Sequence, residues 1–314
     1  MEFVFLLLGI IGLLLGAQLV VKASKNLADY YKISPLFLGL TILTIGTNLP
    51  ELVVSMTAAY QKVMGIDTSG IVMGNIIGSG MGQISFTLGF LGLFATISLT
   101  KRRLSRDGFA ALISVVLLFL ASWDGVVTRL EGVQLIIIYI IYFLIIYREE
   151  KVTKKVRRTE KVYPVWILMS LLGGLAILVF SSHVVVEHSM VLAESWDVSQ
   201  AWIGMIIIGF ATSLPELAVA VSAIRSGVIG LSVGNLVGSN VFDLLFVLGG
   251  VAVISEISVE HSVINFYLPF LFLTSLLVLY FFRTRMKLQK KEAIVLLLMY
   301  GFYFGFTIFL GLVI

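Results

Sequence analysis

Residues 20–51 read VVKASKNLADYYKISPLFLGLTILTIGTNLPE, and residues 185–216 read VVEHSMVLAESWDVSQAWIGMIIIGFATSLPE. The two stretches align without a gap at an offset of 165, so that Val20, Val21, Ser24, Leu27, Ala28, Ser34, Gly39, Thr47, Leu49, Pro50 and Glu51 all recur. The basic positions do not recur: Lys22 becomes Glu187, Lys25 becomes Met190 and Lys32 becomes Asp197. Lys and Arg that flank membrane spans stay on the cytoplasmic side. A loop that is basic in one copy and acidic in the other is therefore expected on opposite faces of a bilayer. An inverted-topology repeat has that property, and such repeats place a binding site near the membrane midplane.

Composition agrees with a membrane setting. The 314 residues are 59% hydrophobic and 13% charged, with a mean hydropathy of +1.06. Ten apolar stretches long enough to cross a bilayer are expected near 3–22, 36–59, 70–97, 108–123, 130–147, 164–186, 199–223, 228–254, 263–282 and 292–313. The fold class that follows is an all-α polytopic bundle of two inverted five-helix repeats, 1–147 and 164–314, joined by a cytoplasmic linker loop, 148–163. Lipid-facing backbone has no other way to satisfy its hydrogen bonds except a closed barrel. With both termini outside, twenty of the 22 basic residues fall on inner loops and only Lys62 and Arg129 fall outside. That split sets the orientation and accounts for the sequence pI near 9.2 without nucleic acid. No basic residue precedes the first apolar run, so it is expected to be a retained helix rather than a signal peptide. There is no cysteine, which excludes disulfides and thiolate metal sites.

Of the eighteen acidic residues, fifteen fall in loops or near the ends of the expected spans and three lie well inside them: Glu51, Glu216 and Asp243. Each costs about 2.5–3.5 kcal/mol at a helix centre on insertion scales, so their presence points to function. Glu51 and Glu216 each close a T-[NS]-L-P-E motif. Its proline removes a backbone donor and crowds the carbonyl four residues back, which frees carbonyls near Thr44 and Gly209 to face a ligand. Thr47, Asn48, Thr212 and Ser213 add side-chain oxygens beside them. A second element also recurs, GNIIGSGMGQ at 74–83 and GNLVGSNVFD at 234–243, matching Asn75 with Asn235, Ser79 with Ser239 and Gln83 with Asp243. Its glycines repeat every fourth residue and permit close helix contact. Crossing the two repeats gives an all-oxygen shell, and its three carboxylates are Glu51, Glu216 and Asp243. That chemistry suits calcium or sodium, whereas softer metals call for His or Cys. His183, His188 and His261 lie near outer span ends, where interfacial positions explain them. A channel could line a selectivity ring with the same acids, and paired acids could serve an intramembrane hydrolase. Two non-identical repeats suit a rocking transporter better, and no catalytic motif accompanies the acids.

The sequences Thr47-Asn48-Leu49-Pro50-Glu51 with Gly74–Gln83, and Thr212-Ser213-Leu214-Pro215-Glu216 with Gly234–Asp243, resemble the two α-repeats of the cation/calcium exchanger superfamily, in its sodium/calcium exchanger branch. The resemblance covers nearly the whole chain, in the minimal microbial form without a large calcium-sensing insert. It implies a multi-pass cell-membrane antiporter of Ca2+ and Na+ that is not an enzyme, needs no cofactor and requires no protein partner beyond the lipid bilayer. It further implies that Glu51 and Glu216 are the central calcium ligands. Thr47, Thr212, Ser79, Ser239, Asp243 and carbonyls near Thr44 and Gly209 would complete adjacent sodium sites. Three positions depart from the family pattern: Asn48 stands for Ser, Gln83 for Asn and Ala211 for Gly. Asn48 brings the first motif toward the G-N-x-x-E of proton/calcium exchangers, so H+ is the alternative driving ion.

Overall fold

A computed structural model describes residues 2–31, 34–150, 164–193 and 203–313. Residues 151–163 of the expected linker, together with Lys32 and Asp197 of the contrasted loops, lie outside the described residues. The described chain is almost wholly helical. In order come α1 (Glu2–Tyr31), α2 (Pro35–Thr47), α3 (Leu49–Val63), α4 (Ser69–Phe94), α5 (Lys101–Ala121) and α6 (Arg129–Glu150). Then follow α7 (Pro164–Ala193), α8 (203–212), α9 (Leu214–Arg225), α10 (Ile229–Ile254), α11 (Val263–Arg285) and α12 (Lys290–Val313). Among the described residues, seven helices are long and apolar enough to cross a membrane, and the bent pair α2–α3 makes an eighth. The apolar part of α7, Val165–Ser181, is shorter.

Local chemistry explains the breaks. Asn48 (φ −85°, ψ 8°) and Ser213 (φ −79°, ψ 0°) depart from ideal helical dihedrals just ahead of Pro50 and Pro215, which sit in the first turn of α3 and α9. A proline in that position is well tolerated because its missing N–H would have had no helical partner. The axes of α2 and α3 differ by 44° as a result. α1 continues past the expected end of its span to Tyr31, with Val20, Val21, Ala23, Ser24, Leu27 and Ala28 buried on one side while Lys22 and Lys25 point outward.

Wide π-turns, absent from the sequence expectation, occupy matching places in the two halves. Gly82–Thr87 in α4 corresponds to Phe242–Val247 in α10, and Gly39–Leu43 in α2 to Ile203–Ile208 in α8. Such turns add a residue to the helical ring and re-aim the side chains around them. Two short antiparallel ladders repeat the same correspondence. Ile97–Ser98 (β1) pairs with Lys287–Leu288 (β4), and Val126–Val127 (β2) with Ile257–Ser258 (β3). Gly125 (φ 89°) precedes β2 and Met286 (φ 55°) precedes β4, so a left-handed residue that is glycine in one place is methionine in the other.

The two basic residues expected on the outer face are both held locally. Lys62 donates to Ser69 Oγ at 2.6 Å and Ser258 Oγ at 3.2 Å and pairs with Asp67 at 3.4 Å. Hydrogen bonds from the Ser69 hydroxyl and amide hold the Asp67 carboxyl below the usual aspartate value. Arg129 donates to the Ile254 carbonyl at 3.4 Å. Large apolar side chains such as Ile137, Ile141, Leu298, Phe302 and Phe309 are exposed along α6 and α12, as a lipid-facing surface requires.

Candidate cation site

The site forms where four helices cross. The first segment of each broken helix packs across the molecule, α2 against α10 and α8 against α4. Glycine makes the second of these contacts possible: a Cβ on Gly209 would fall 2.8 Å from Gly78 Cα and Ser79 N. The segments after the breaks pack within their own halves, α3 on α4 and α9 on α10. Asn75 ties the first of these pairs, its amide donating to the Glu51 carbonyl at 3.3 Å and to Ser55 Oγ at 3.0 Å. Each Gly-Asn helix therefore touches both broken helices, and the two T-x-L-P-E breaks meet between them.

Two hydrogen bonds mirror one another across the centre. Thr47 Oγ1 donates to Asn235 Oδ1 at 3.2 Å, and Thr212 Oγ1 donates to Asn75 Oδ1 at 3.2 Å. Thr212 also stands beside the Glu51 carboxyl and Thr47 beside that of Glu216, short of hydrogen-bond geometry in both cases. Glu51 lies within electrostatic reach of both Glu216 and Asp243. The flanks of the site differ. On one side Asp243 Oδ2 accepts from Ser79 Oγ at 3.4 Å and Gln83 Nε2 at 3.3 Å, and Gln83 Oε1 in turn accepts from Asn240 Nδ2 at 2.8 Å. On the other, Asn48 Nδ2 donates to the Thr44 carbonyl and to Ser239 Oγ, each at 2.7 Å. Ser213 Oγ donates to the Gly209 carbonyl at 2.9 Å.

The atoms left over define what the site can do. Both carboxylate oxygens of Glu51 and of Glu216, Asp243 Oδ1 and Asn48 Oδ1 are buried and have no hydrogen-bond partner among the described residues. An unsatisfied buried polar group costs about 1–3 kcal/mol, and more when charged. Gathered in one place, these unpaired acceptors are positioned to receive a cation or a proton. Among the described residues no three His, Asp or Glu side chains are grouped closely enough to chelate a metal by themselves. The amide, hydroxyl and carbonyl oxygens around the two glutamates must therefore share in any shell, as calcium and sodium readily allow.

Thr44, Thr47, Asn48, Glu51, Ser79, Gln83, Gly209, Thr212, Ser213, Glu216, Ser239 and Asp243, the residues singled out from sequence, are all buried and lie on the crossing segments. The Thr44 carbonyl does not turn from the ladder as expected: it accepts from the Asn48 backbone N–H at 3.1 Å and from the Asn48 side chain at 2.7 Å, and the Gly209 carbonyl accepts from the Ser213 side chain. Asn75 and Asn235, matched members of the repeated polar element, and Asn240 are part of the same network and were not named as cation ligands. The Gly-Asn dipeptide repeated at 74–75 and 234–235 was the available signal for the first two. Asn240 corresponds to Gly80, so the repeat gave no signal for it. His183 and His261 are exposed, whereas the side chain of His188 lies outside the described residues.

Comparison with known proteins gives a consistent result. The family model described as sodium/calcium exchanger protein matches residues 1–148 and 166–309. A sodium/calcium exchanger of Methanosarcina acetivorans, MaX1, is 28% identical over 95% of this chain and 96% of its own. The putative antiporter CaxA of Alkalimonas amylolytica is 33% identical over 78% of each chain. Among solved structures, the sodium-calcium exchanger NCX_Mj soaked with 10 mM Na+ and 10 mM Sr2+ superposes with a TM-score of 0.82 at 28% identity, over 97% of each chain.

Proposed function

The chain belongs to the sodium/calcium exchanger family, and from that premise we propose that it exchanges Ca2+ for Na+ across the cell membrane by alternating access. The cluster of buried, unpartnered carboxylate oxygens on Glu51 and Glu216 carries this reading. In it the two glutamates bind calcium at the centre. Asp243, Thr47, Thr212, Ser79, Ser213, Gln83, Asn48 Oδ1 and the Gly209 carbonyl complete that shell and the sodium positions around it. An empty pocket with three nearby carboxylates repels itself and resists burial, whereas calcium or several sodium ions neutralise it. Only a loaded site can close and reopen on the other face, which makes transport an obligatory exchange rather than a leak or a hydrolysis.

The proposed architecture is ten spans in two inverted repeats, 1–147 and 164–314, with the 148–163 linker in the cytoplasm and both termini outside. Two features support it: the matched π-turns, and ladders that bring the loops near 97 and 287 together and those near 126 and 257 together. Alternation over ten spans puts each of those loop pairs on one face. Motion of one helix group against the site-bearing helices then switches access.

The test is calcium uptake into proteoliposomes carrying the purified protein. Uptake should follow an outward sodium gradient and fail in sodium-free buffer with only a pH gradient. Robust uptake driven by pH alone, indifferent to sodium, would select the proton alternative.

A further inference from the structure

The two halves of the site differ at one pair of equivalent oxygens. In the first half a donor joins the Thr44 carbonyl to Ser239 Oγ: Asn48 Nδ2 bonds both at 2.7 Å. The equivalent pair in the second half is the Gly209 carbonyl and Ser79 Oγ, and among the described residues no side chain spans it. Ser213, in the place of Asn48, bonds only back to the Gly209 carbonyl, at 2.9 Å, and Ser79 donates instead to Asp243 and the Ile76 carbonyl. A serine hydroxyl is too short to make the bridge that the longer asparagine amide makes.

Chemistry fixes which end of the Asn48 amide makes these bonds. The Thr44 carbonyl can only accept, and it already accepts from the Asn48 backbone N–H at 3.1 Å, so only the nitrogen end can face it. An amide nitrogen carries two protons, and the two bonds use both. Nδ2 thus sits between two buried oxygens as a small positive occupant would, but it is a donor and cannot ligate a cation. Asn48 Oδ1, on the other end, remains without a partner and stays available to a central ion.

We propose that the Asn48 amide permanently fills a monovalent-cation position between the Thr44 carbonyl and Ser239. The protein then couples one fewer sodium ion to each calcium than it would with serine at this place. The number of calcium ions is unaffected, because the central glutamates that hold calcium are the same with either residue at this place. The inference rests on the sodium-driven reading above.

The test is the limiting calcium gradient reached in proteoliposomes at zero membrane potential under a fixed tenfold sodium gradient, for the wild type and for Asn48→Ser. Each additional coupled sodium ion multiplies the limiting calcium ratio by the sodium ratio, so Asn48→Ser should raise it about tenfold. Equal limiting ratios, with both proteins sodium-dependent, would overturn the proposal and leave the exchange function standing. Indifference of both proteins to sodium would instead remove the sodium-driven reading and the proposal with it. If Asn48→Ser does not fold, Ser239→Ala decides. Its transport is free to slow, but its limiting ratio should equal that of the wild type, because no sodium ion is held there. A ratio about tenfold lower would show that Ser239 holds a sodium ion and would refute the assignment.

Discussion

Gly209→Ala is the sharpest probe of how the fold builds the site. The added Cβ would lie 2.8 Å from Gly78 Cα, Gly78 C and Ser79 N, where ordinary contact begins at 3.4 Å. All three are backbone atoms, so no side chain can swing aside, and α8 and α4 must part by several tenths of an ångström. Overpacking of this kind costs about 1–3 kcal/mol. The strain falls on Ser79, whose bond to Asp243 is already long at 3.4 Å, and on Thr212, three residues along α8. The variant should lose about 1–3 kcal/mol of stability and bind calcium about tenfold more weakly, as a loss near 1.4 kcal/mol implies. Thermal unfolding of detergent-solubilised protein, with and without calcium, and initial rates of calcium uptake measure the two effects. Gly301→Ala on α12 is the control, since nothing lies within 4 Å of its added Cβ; it should be neutral or slightly stabilising. Wild-type melting and uptake in Gly209→Ala would refute the idea that backbone contact at this crossing sets the site.

Topology can be read by labelling. A cysteine in place of Lys25 should react only with reagent on the cytoplasmic side and one in place of Met190 only from outside; reaction of both from one face would contradict inversion. Asp243 is bonded by Ser79 and Gln83 while the glutamates are free. Asp243→Asn should therefore weaken sodium-driven exchange more than equilibrium calcium binding, a split that uptake and calcium titration on one preparation would reveal. Met286 adopts a left-handed conformation where the matching turn has Gly125. Such a backbone costs a non-glycine residue about 1–2 kcal/mol, so Met286→Gly should raise the unfolding temperature modestly, and a lower one would mean that methionine packing dominates the turn.

The positions that carry charge and helix breaks were legible because each has a strong local cause. Pro50 and Pro215 must interrupt a helix, and Glu51 and Glu216 are too costly in a span to be incidental. The repeat then announced that these breaks meet. The hydrogen-bond directions were not legible. Whether Asn48 offers its oxygen or its nitrogen depends on the Thr44 carbonyl across one turn and on Ser239 from the other half, a contact 191 residues away in sequence. Asn240 was hidden for the same reason, because its partner Gln83 comes from the opposite repeat. The π-turns, five or six residues long, are too short to leave a periodic mark of their own. The ladders at 97–98 and 126–127 are two residues long, too short for an alternating pattern to form.

The central claim is that Glu51 and Glu216 together hold calcium, and equilibrium calcium binding to purified Glu51→Gln and Glu216→Gln tests it most directly. Each substitution removes one negative charge at nearly constant volume, and truncating one partner of a buried charge pair costs about 2–5 kcal/mol. Both variants should remain folded and monodisperse while calcium affinity falls by at least about thirtyfold. Wild-type calcium affinity in either variant would contradict the account.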